Sequence, residues 1–245
     1  MEEKKRPFAV FDIDGTLIRW QLYHSLVDEL ARTGYIKKSE YRKVKESRMT
    51  WKRREHKSTF AVYQSTLVEV FHDALKTLPP SELDSAAEKV FETYKDQVYT
   101  YTRDLIARLK DQGYVLFAIS GSQHEIITRL ATYYGFDDAV GNQYERAGEK
   151  LTGEHQHVVE NKPKVLKGLM KKYNVEFKNS IAIGDSGSDA SLLELVDHPV
   201  AFNPDQTLFE IATGKKWPII IERKNVIYEL RSVDGSYQLC SPNSR

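Results

Sequence analysis

Pro7-Phe8-Ala9-Val10-Phe11-Asp12-Ile13-Asp14-Gly15-Thr16 joins a short apolar run to two carboxylates and a glycine turn. An apolar run of this length bounded by charge reads as a buried strand. Such a strand delivers Asp12 and Asp14 together at its carboxyl end, where open α/β sheets bind ligands. Two carboxylates this close repel each other, and a site that keeps both ionised generally holds a cation. The stretch therefore predicts a Mg²⁺ site beside a carboxylate nucleophile.

The pattern on either side of it sets the architecture. From Leu17 to Gln97 no convincing strand occurs, but helical stripes do: Leu22, Leu26, Val27 and Leu30 before Gly34, a second run from Ser58 to Leu78, and a third opened by Ser81 as N-cap. From Thr102 helix and strand alternate, the signature of a parallel sheet with crossover helices. Strands are expected at Tyr114–Ile119, Ile181–Ile183, Pro199–Phe202 and Pro218–Ile221, and helices at His124–Tyr134 and Val165–Tyr173. Residues 142–159 read as a small hairpin or irregular excursion. The expected fold is α/β, a Rossmann-like parallel sheet core formed by residues 1–16 and 98–233 with an inserted helical cap at 17–97. The Gly-, Ser- and Asn-containing end, 234–245, is expected to be a flexible tail.

Composition narrows the class. With 245 residues, 40% hydrophobic, the chain can bury a substantial core. Lys and Arg total 36 against 35 Asp and Glu, which argues against nucleic acid as a general partner. No stretch approaches a membrane span or a signal peptide, so a cytoplasmic protein without a membrane partner is expected; the sequence leaves the oligomeric state open. Cys240 is the only cysteine, which excludes an internal disulfide and a thiolate-rich metal site. His155-x-His157 reads as loop histidines rather than a metal pair.

Three later segments complement the first. Ser120-Gly121-Ser122 follows a strand and can hold phosphate with hydroxyl and N–H groups at a helix start. Gly184-Asp185-Ser186-Gly187-Ser188-Asp189 follows another, bringing Asp185 and Asp189 to the same sheet edge. Lys162, before Pro163 at a helix start, supplies positive charge for a phosphoryl group, with Lys164 as the alternative. Singly, each segment is also an ordinary turn or helix start. Together, in this order and at these places, they point to one phosphate site.

In these four motifs the chain resembles the haloacid dehalogenase superfamily of phosphohydrolases, and the helical insertion after the first motif resembles the cap of its phosphoserine-phosphatase-like subfamily. The resemblance implies that Asp12 attacks phosphorus to form an aspartyl-phosphate, while Asp14 serves as acid and then base. It further implies that Mg²⁺ is held by Asp12, the Asp14 carbonyl and Asp185, with Asp189 orienting that shell. Ser120, the Gly121 amide and Lys162 would bind the phosphate. The implied activity is Mg²⁺-dependent hydrolysis of small anionic phosphomonoesters. Phosphotransfer through the same intermediate and a non-catalytic module binding phosphorylated or nucleic-acid partners are the alternatives.

Specificity is expected in the cap. Phosphoserine phosphatases place a Glu seven positions after the second motif Asp to meet the substrate ammonium; here Gln21 stands there, which argues against phosphoserine. His24 is a further pocket candidate. Residues 37–57 hold ten Lys or Arg and three Asp or Glu, a net charge of +7. That stretch reads either as a solvated helix face or as a funnel for anions, with Arg53 or Arg54 meeting a substrate carboxylate or second phosphate.

Overall fold

The computed structural model describes residues 5–56, 58–156, 158 and 161–244, with backbone alone at 153–156 and 241–244. Two compact units divide the chain: Met1–Gln21, Tyr94–Asn142 and His157–Arg245 form the first, and Leu22–Thr93 with Gln143–Gln156 the second. In chain order the elements begin with β1 (Phe8–Phe11), α1 (Leu22–Arg32), α2 (Lys38–Lys52), α3 (Thr59–Leu75), α4 (Pro80–Tyr94) and α5 (Thr100–Asp111). Then come β2 (Val115–Gln123), α6 (His124–Tyr134), β3 (Asp138–Ala147), β4 (Lys150–Gln156) and α7 (Lys162–Tyr173). The chain closes with β5 (Ile181–Gly184), α8 (Ala190–Leu193), β6 (His198–Phe202), α9 (Gln206–Lys215), β7 (Ile219–Arg223), β8 (Val226–Val233) and β9 (Ser236–Ser244).

In the first unit the strands run in the order β3-β2-β1-β5-β6-β7-β8-β9. From β3 to β7 every pairing is parallel, whereas β8 and β9 return antiparallel. All four residues of β1 are fully buried. A strand covered on both faces must be apolar throughout, which is why Phe8–Phe11 shows no alternation. Phe8 packs on Phe117 and Phe177, and Phe117 on Tyr173 of α7, at ring separations of 5.3–5.9 Å. β1 is flanked by β2 on one side and β5 on the other, so the connections leave it in opposite directions. That is the topological switch point, and the crevice opens beyond the carboxyl end of β1.

In the second unit, Leu22, Leu26, Val27 and Leu30 form the buried stripe of α1. Tyr63, Leu67, Val70, Phe71, Ala74 and Leu75 form that of α3. α2 buries only Val44, so the basic stretch is a largely solvated helix. It is anchored by Arg48, whose guanidinium makes a bidentate pair with Asp28 of α1 at 2.6 and 3.0 Å and donates to the Tyr63 hydroxyl at 2.8 Å. The later half of β3 pairs with β4 as an antiparallel hairpin. Tyr144 is buried against Phe71, with its hydroxyl 3.1 Å from His72 Nε2. The expected excursion is thus a hairpin as far as Gln156, and Gln143–Gln156 belongs to the helical unit.

Other expectations are corrected. α4 begins at Pro80, placing Ser81 inside the first turn rather than at the N-cap. α7 begins at Lys162, three residues before the expected start. Ser120–Ser122 is extended backbone within β2, and α6 starts only at His124. The register of β2 against β3 shifts between Ile119 and Gln123, a bulge that terminates regular pairing beside the site. The expected flexible tail is strand β9, paired with β8 from Val233↔Ser236 to Val226↔Ser244. Its polar composition suits a two-residue hairpin at Asp234-Gly235, both with positive φ. Tyr237 holds it down, its hydroxyl shared between the carbonyls of Trp217 at 2.7 Å and Ala212 at 2.9 Å. Among the described residues no helix is long and apolar enough to cross a membrane.

Tyr237→Phe removes that shared bond while keeping the ring, and it is expected to cost about 1 kcal/mol in urea unfolding. A stability equal to wild type would show that β9 is held by its ladder alone.

Candidate active site

The carboxyl ends of β1, β2 and β5 and the start of α7 bring four of the predicted segments together. Asp12 prolongs β1, its N–H donating to the Ile183 carbonyl at 2.9 Å. The chain then turns back: the Gly15 N–H donates to the Ile18 carbonyl at 2.9 Å, and Asp14 bridges Ile18. Gly15 has φ +83°, and a Cβ there would lie 2.0 Å from Asp185 Oδ2. Only glycine permits both the turn and the approach of that carboxylate. Gly184 is equally confined, because a Cβ would meet Asp189 at 2.5 Å.

Lys162 is 1% exposed, and its ammonium lies 2.7 Å from Asp12 Oδ1 and 2.5 Å from Asp189 Oδ1. Burial opposes its charge, but Asp12 and Asp189 outweigh that penalty and hold the ammonium above its ordinary range. Lys164, the alternative, is exposed. Asp189 has no exposure, and its Oδ2 accepts from the N–H groups of Asp185 and Ser186 and the Ser186 hydroxyl at 3.0–3.2 Å. Ser186 and Asp189 form a capping box around the 3₁₀ turn Gly187–Asp189. The Ser-x-x-Asp spacing carried that signal in the sequence.

Asp14, half-buried, accepts at Oδ2 from the Ser120 hydroxyl at 2.7 Å. The Ser122 N–H donates to Ser120 Oγ at 2.9 Å, which orients that hydroxyl. The Gly121 carbonyl accepts from Asn142 Nδ2 at 2.6 Å. Asn142 and Asp205 went unremarked in the sequence. Asp205 donates its N–H to the Asp185 carbonyl at 2.7 Å, and its carboxylate accepts from the Gly187 N–H at 3.3 Å. A lone Asp before a helix gives no hint of such a long-range contact.

One oxygen each from Asp12, Asp185 and Asp189 lies within 4.8 Å of the others. Burial, offset in part by Lys162, pushes Asp12 up to about 7, with Asp189 and Asp14 adding repulsion. Burial and the charges of Asp12 and Asp189 push Asp185 up to about 9. Burial is the larger cause of both shifts, and repulsion among the carboxylates adds to it. Three hard carboxylate donors with surplus negative charge fit a cation such as Mg²⁺. The Asp14 carboxylate is not part of this cluster.

The cap candidates are dispersed. Gln21 ends the first stretch of the first unit and is half-buried. His24 is 3% exposed and lies edge-on to Tyr63 at 4.8 Å within the helical unit. Arg53 and Arg54 are exposed on the turn after α2, Arg53 paired with Glu55 at 3.5 Å. His155 lies in β4, described by its backbone only, and His157 is outside the described residues.

Known proteins resemble this chain in sequence and in fold. The haloacid dehalogenase-like hydrolase family matches residues 9–194. A phosphoserine phosphatase of Methanocaldococcus jannaschii is 27% identical over 91% of this chain and 96% of its own. A histidinol-phosphatase of Neisseria meningitidis is 24% identical over 86% and 97%. In fold, a Bordetella pertussis protein of unknown function superposes with a TM-score of 0.72 at 22% identity, over 89% of this chain and 99% of its own. A phosphoserine phosphatase captured as a phospho-aspartyl intermediate analogue gives 0.59 at 24%, over 90% and 95%.

Lys162→Met leaves two buried carboxylates without their cation and should cost about 3 kcal/mol or more in chemical unfolding, with Lys164→Ala within about 0.5 kcal/mol of wild type. Equal effects of the two would contradict the assignment. His24 makes a second prediction: burial and Arg48, opposed by Asp28, lower it to about 4. Below its ordinary value of 6.5 the unfolded chain takes up a proton that the folded chain refuses, so stability falls as pH drops from about 6.5 towards 4, by up to ~1.4 kcal/mol per unit. His24→Leu should flatten that part of the pH–stability curve; an unchanged slope would place the acid sensitivity elsewhere.

Proposed function

The chain belongs to the haloacid dehalogenase-like hydrolase family, among its phosphatases, and from that premise we propose that it hydrolyses small phosphomonoesters in the cytoplasm through an aspartyl-phosphate on Asp12. The observation that carries this reading is the buried Asp12–Lys162–Asp189 cluster at the switch point, with Asp14 two residues on and held by Ser120. We further assign the helical unit the role of specificity cap.

Asp12 must attack as a carboxylate, and the ammonium of Lys162 favours that form while drawing phosphoryl oxygens towards it. Its oxygen forms a bond to phosphorus as the ester P–O bond breaks, and Asp14 donates a proton to the departing alkoxide. In the second half Asp14 takes a proton from water, whose oxygen bonds to phosphorus as the bond to Asp12 breaks, releasing inorganic phosphate. Ser120, oriented by the Ser122 N–H, donates its one hydroxyl proton to Asp14 before substrate arrives; with the Gly121 amide it would turn that proton to a phosphate oxygen on binding. Asp12, Asp185 and the Asp14 carbonyl would hold Mg²⁺, with Asp189 fixing that set through the Asp185 and Ser186 amides. The bound ion supplies positive charge that offsets repulsion between the phosphoryl group and the carboxylates.

Relatives named for phosphoserine and histidinol phosphate leave the alcohol part undefined. The neutral amide of Gln21 lacks the charge to pair with an ammonium, which supports a substrate other than phosphoserine.

Asp12→Asn is expected to lower Mg²⁺-dependent turnover of p-nitrophenyl phosphate by on the order of 10³-fold or more, with the circular dichroism spectrum unchanged. Turnover near wild type in that variant would overturn the mechanism.

A further inference from the structure

Arg19 belongs to none of the predicted site residues, yet its position within the first unit is closely defined. Its N–H donates to the Gln97 carbonyl at 2.8 Å, and the preceding Ile18 bridges both Asp14 and Val98. The backbone of Arg19 is therefore one residue from the turn on which the Asp185 carboxylate rests. Its guanidinium lies over the Tyr99 ring, 5.2 Å from the centroid. Tyr99 is itself fixed: its N–H donates to the Leu17 carbonyl at 2.9 Å, and its ring meets Phe202 edge-on at 5.0 Å. It also lies within electrostatic reach of Asp185.

Two further facts make this arginine unusual. It is exposed, and among the described residues it forms no ion pair, although the neighbouring site is strongly acidic. A guanidinium held over a ring by cation–π attraction keeps its planar fork of N–H donors, which matches a carboxylate or a phosphate. The ring also restricts the side chain before any ligand arrives, so less rotamer entropy is lost on binding. Gln21, two residues later, offers no negative charge to attract a cationic substituent.

We propose that Arg19, held over the Tyr99 ring, is a specificity-determining residue that pairs with a second anionic group, a carboxylate or a further phosphate, on the alcohol part of the substrate. The inference rests on the phosphatase reading above and deepens it. A purely surface arginine, or one that only softens the repulsion of the acidic cluster, would treat all phosphomonoesters alike.

The test compares kcat/KM for three aryl phosphates, phenyl phosphate, 4-carboxyphenyl phosphate and 1,4-phenylene bisphosphate, in wild type, Arg19→Gln, Arg19→Lys and Tyr99→Leu. Arg19→Gln should lower the preference for at least one doubly anionic substrate over phenyl phosphate by tenfold or more, through KM. Whichever of the two loses more identifies carboxylate or phosphate as the group read. Arg19→Lys should restore part of the preference, because the charge returns without the planar fork, and Tyr99→Leu should lose part of it. Unchanged preference, or an equal loss on all three substrates, overturns the proposal for a variant whose melting temperature matches wild type. Failure of the phosphatase reading itself looks different: wild type would then turn over none of the three above the Asp12→Asn blank.

Discussion

A lysine ammonium buried between two carboxylates is the constraint around which the core is arranged. Lys162 reaches Asp12 and Asp189 from the start of α7, and the three groups are together almost entirely shielded from water. Removing such charges from water costs several kcal/mol per ion unless geometry and hydrogen bonds are nearly complete. Completeness explains the surroundings. Asp189 is saturated by two backbone amides and a hydroxyl, Gly184 gives it room, and the Asp185 carbonyl is tied to Asp205. Each of these arrangements would be superfluous if the cluster were exposed.

The cluster is nevertheless not neutral. One ammonium faces Asp12 and Asp189 while Asp185 and Asp14 stand close by, and burial, with repulsion among the carboxylates added, presses Asp12 and Asp185 upward. A site that balanced its charge internally would have nothing to offer a phosphoryl group. Surplus negative charge suits a divalent cation, and under the proposed function an ion held there, together with the lysine, would offset the repulsion that carboxylates alone exert on a dianionic ester. Stability and chemistry pull in opposite directions here, as functional sites commonly require.

The helical unit has its own centre of gravity, the Arg48–Asp28 pair with Tyr41 and Tyr63, against which His24 and Trp51 pack. That packing explains why His24 is buried. It also explains how α2 can be so basic and still form: one well-paired arginine and one buried valine anchor it, and the remaining charges stay in water.

Much of the core was legible in the chain because local chemistry dictated it. An all-apolar Phe8–Phe11 can only be a strand covered on both faces, His124–Tyr134 carries an unbroken helical stripe with Gly135 to end it, and the carboxylates follow their strands directly. What composition suggested at the tail failed, since ladder pairing and the Tyr237 hydroxyl override polar residues that in isolation favour disorder. Sequence by itself determined which residue types stand at strand ends and in what order, because those follow from periodicity and turn chemistry. Only the tertiary structure decided that Lys162 rather than Lys164 enters the cluster, that Ser120 meets Asp14, and that Arg19 lies on Tyr99. Those contacts join residues up to 150 positions apart, and no local pattern encodes a distance closed only when the sheet assembles.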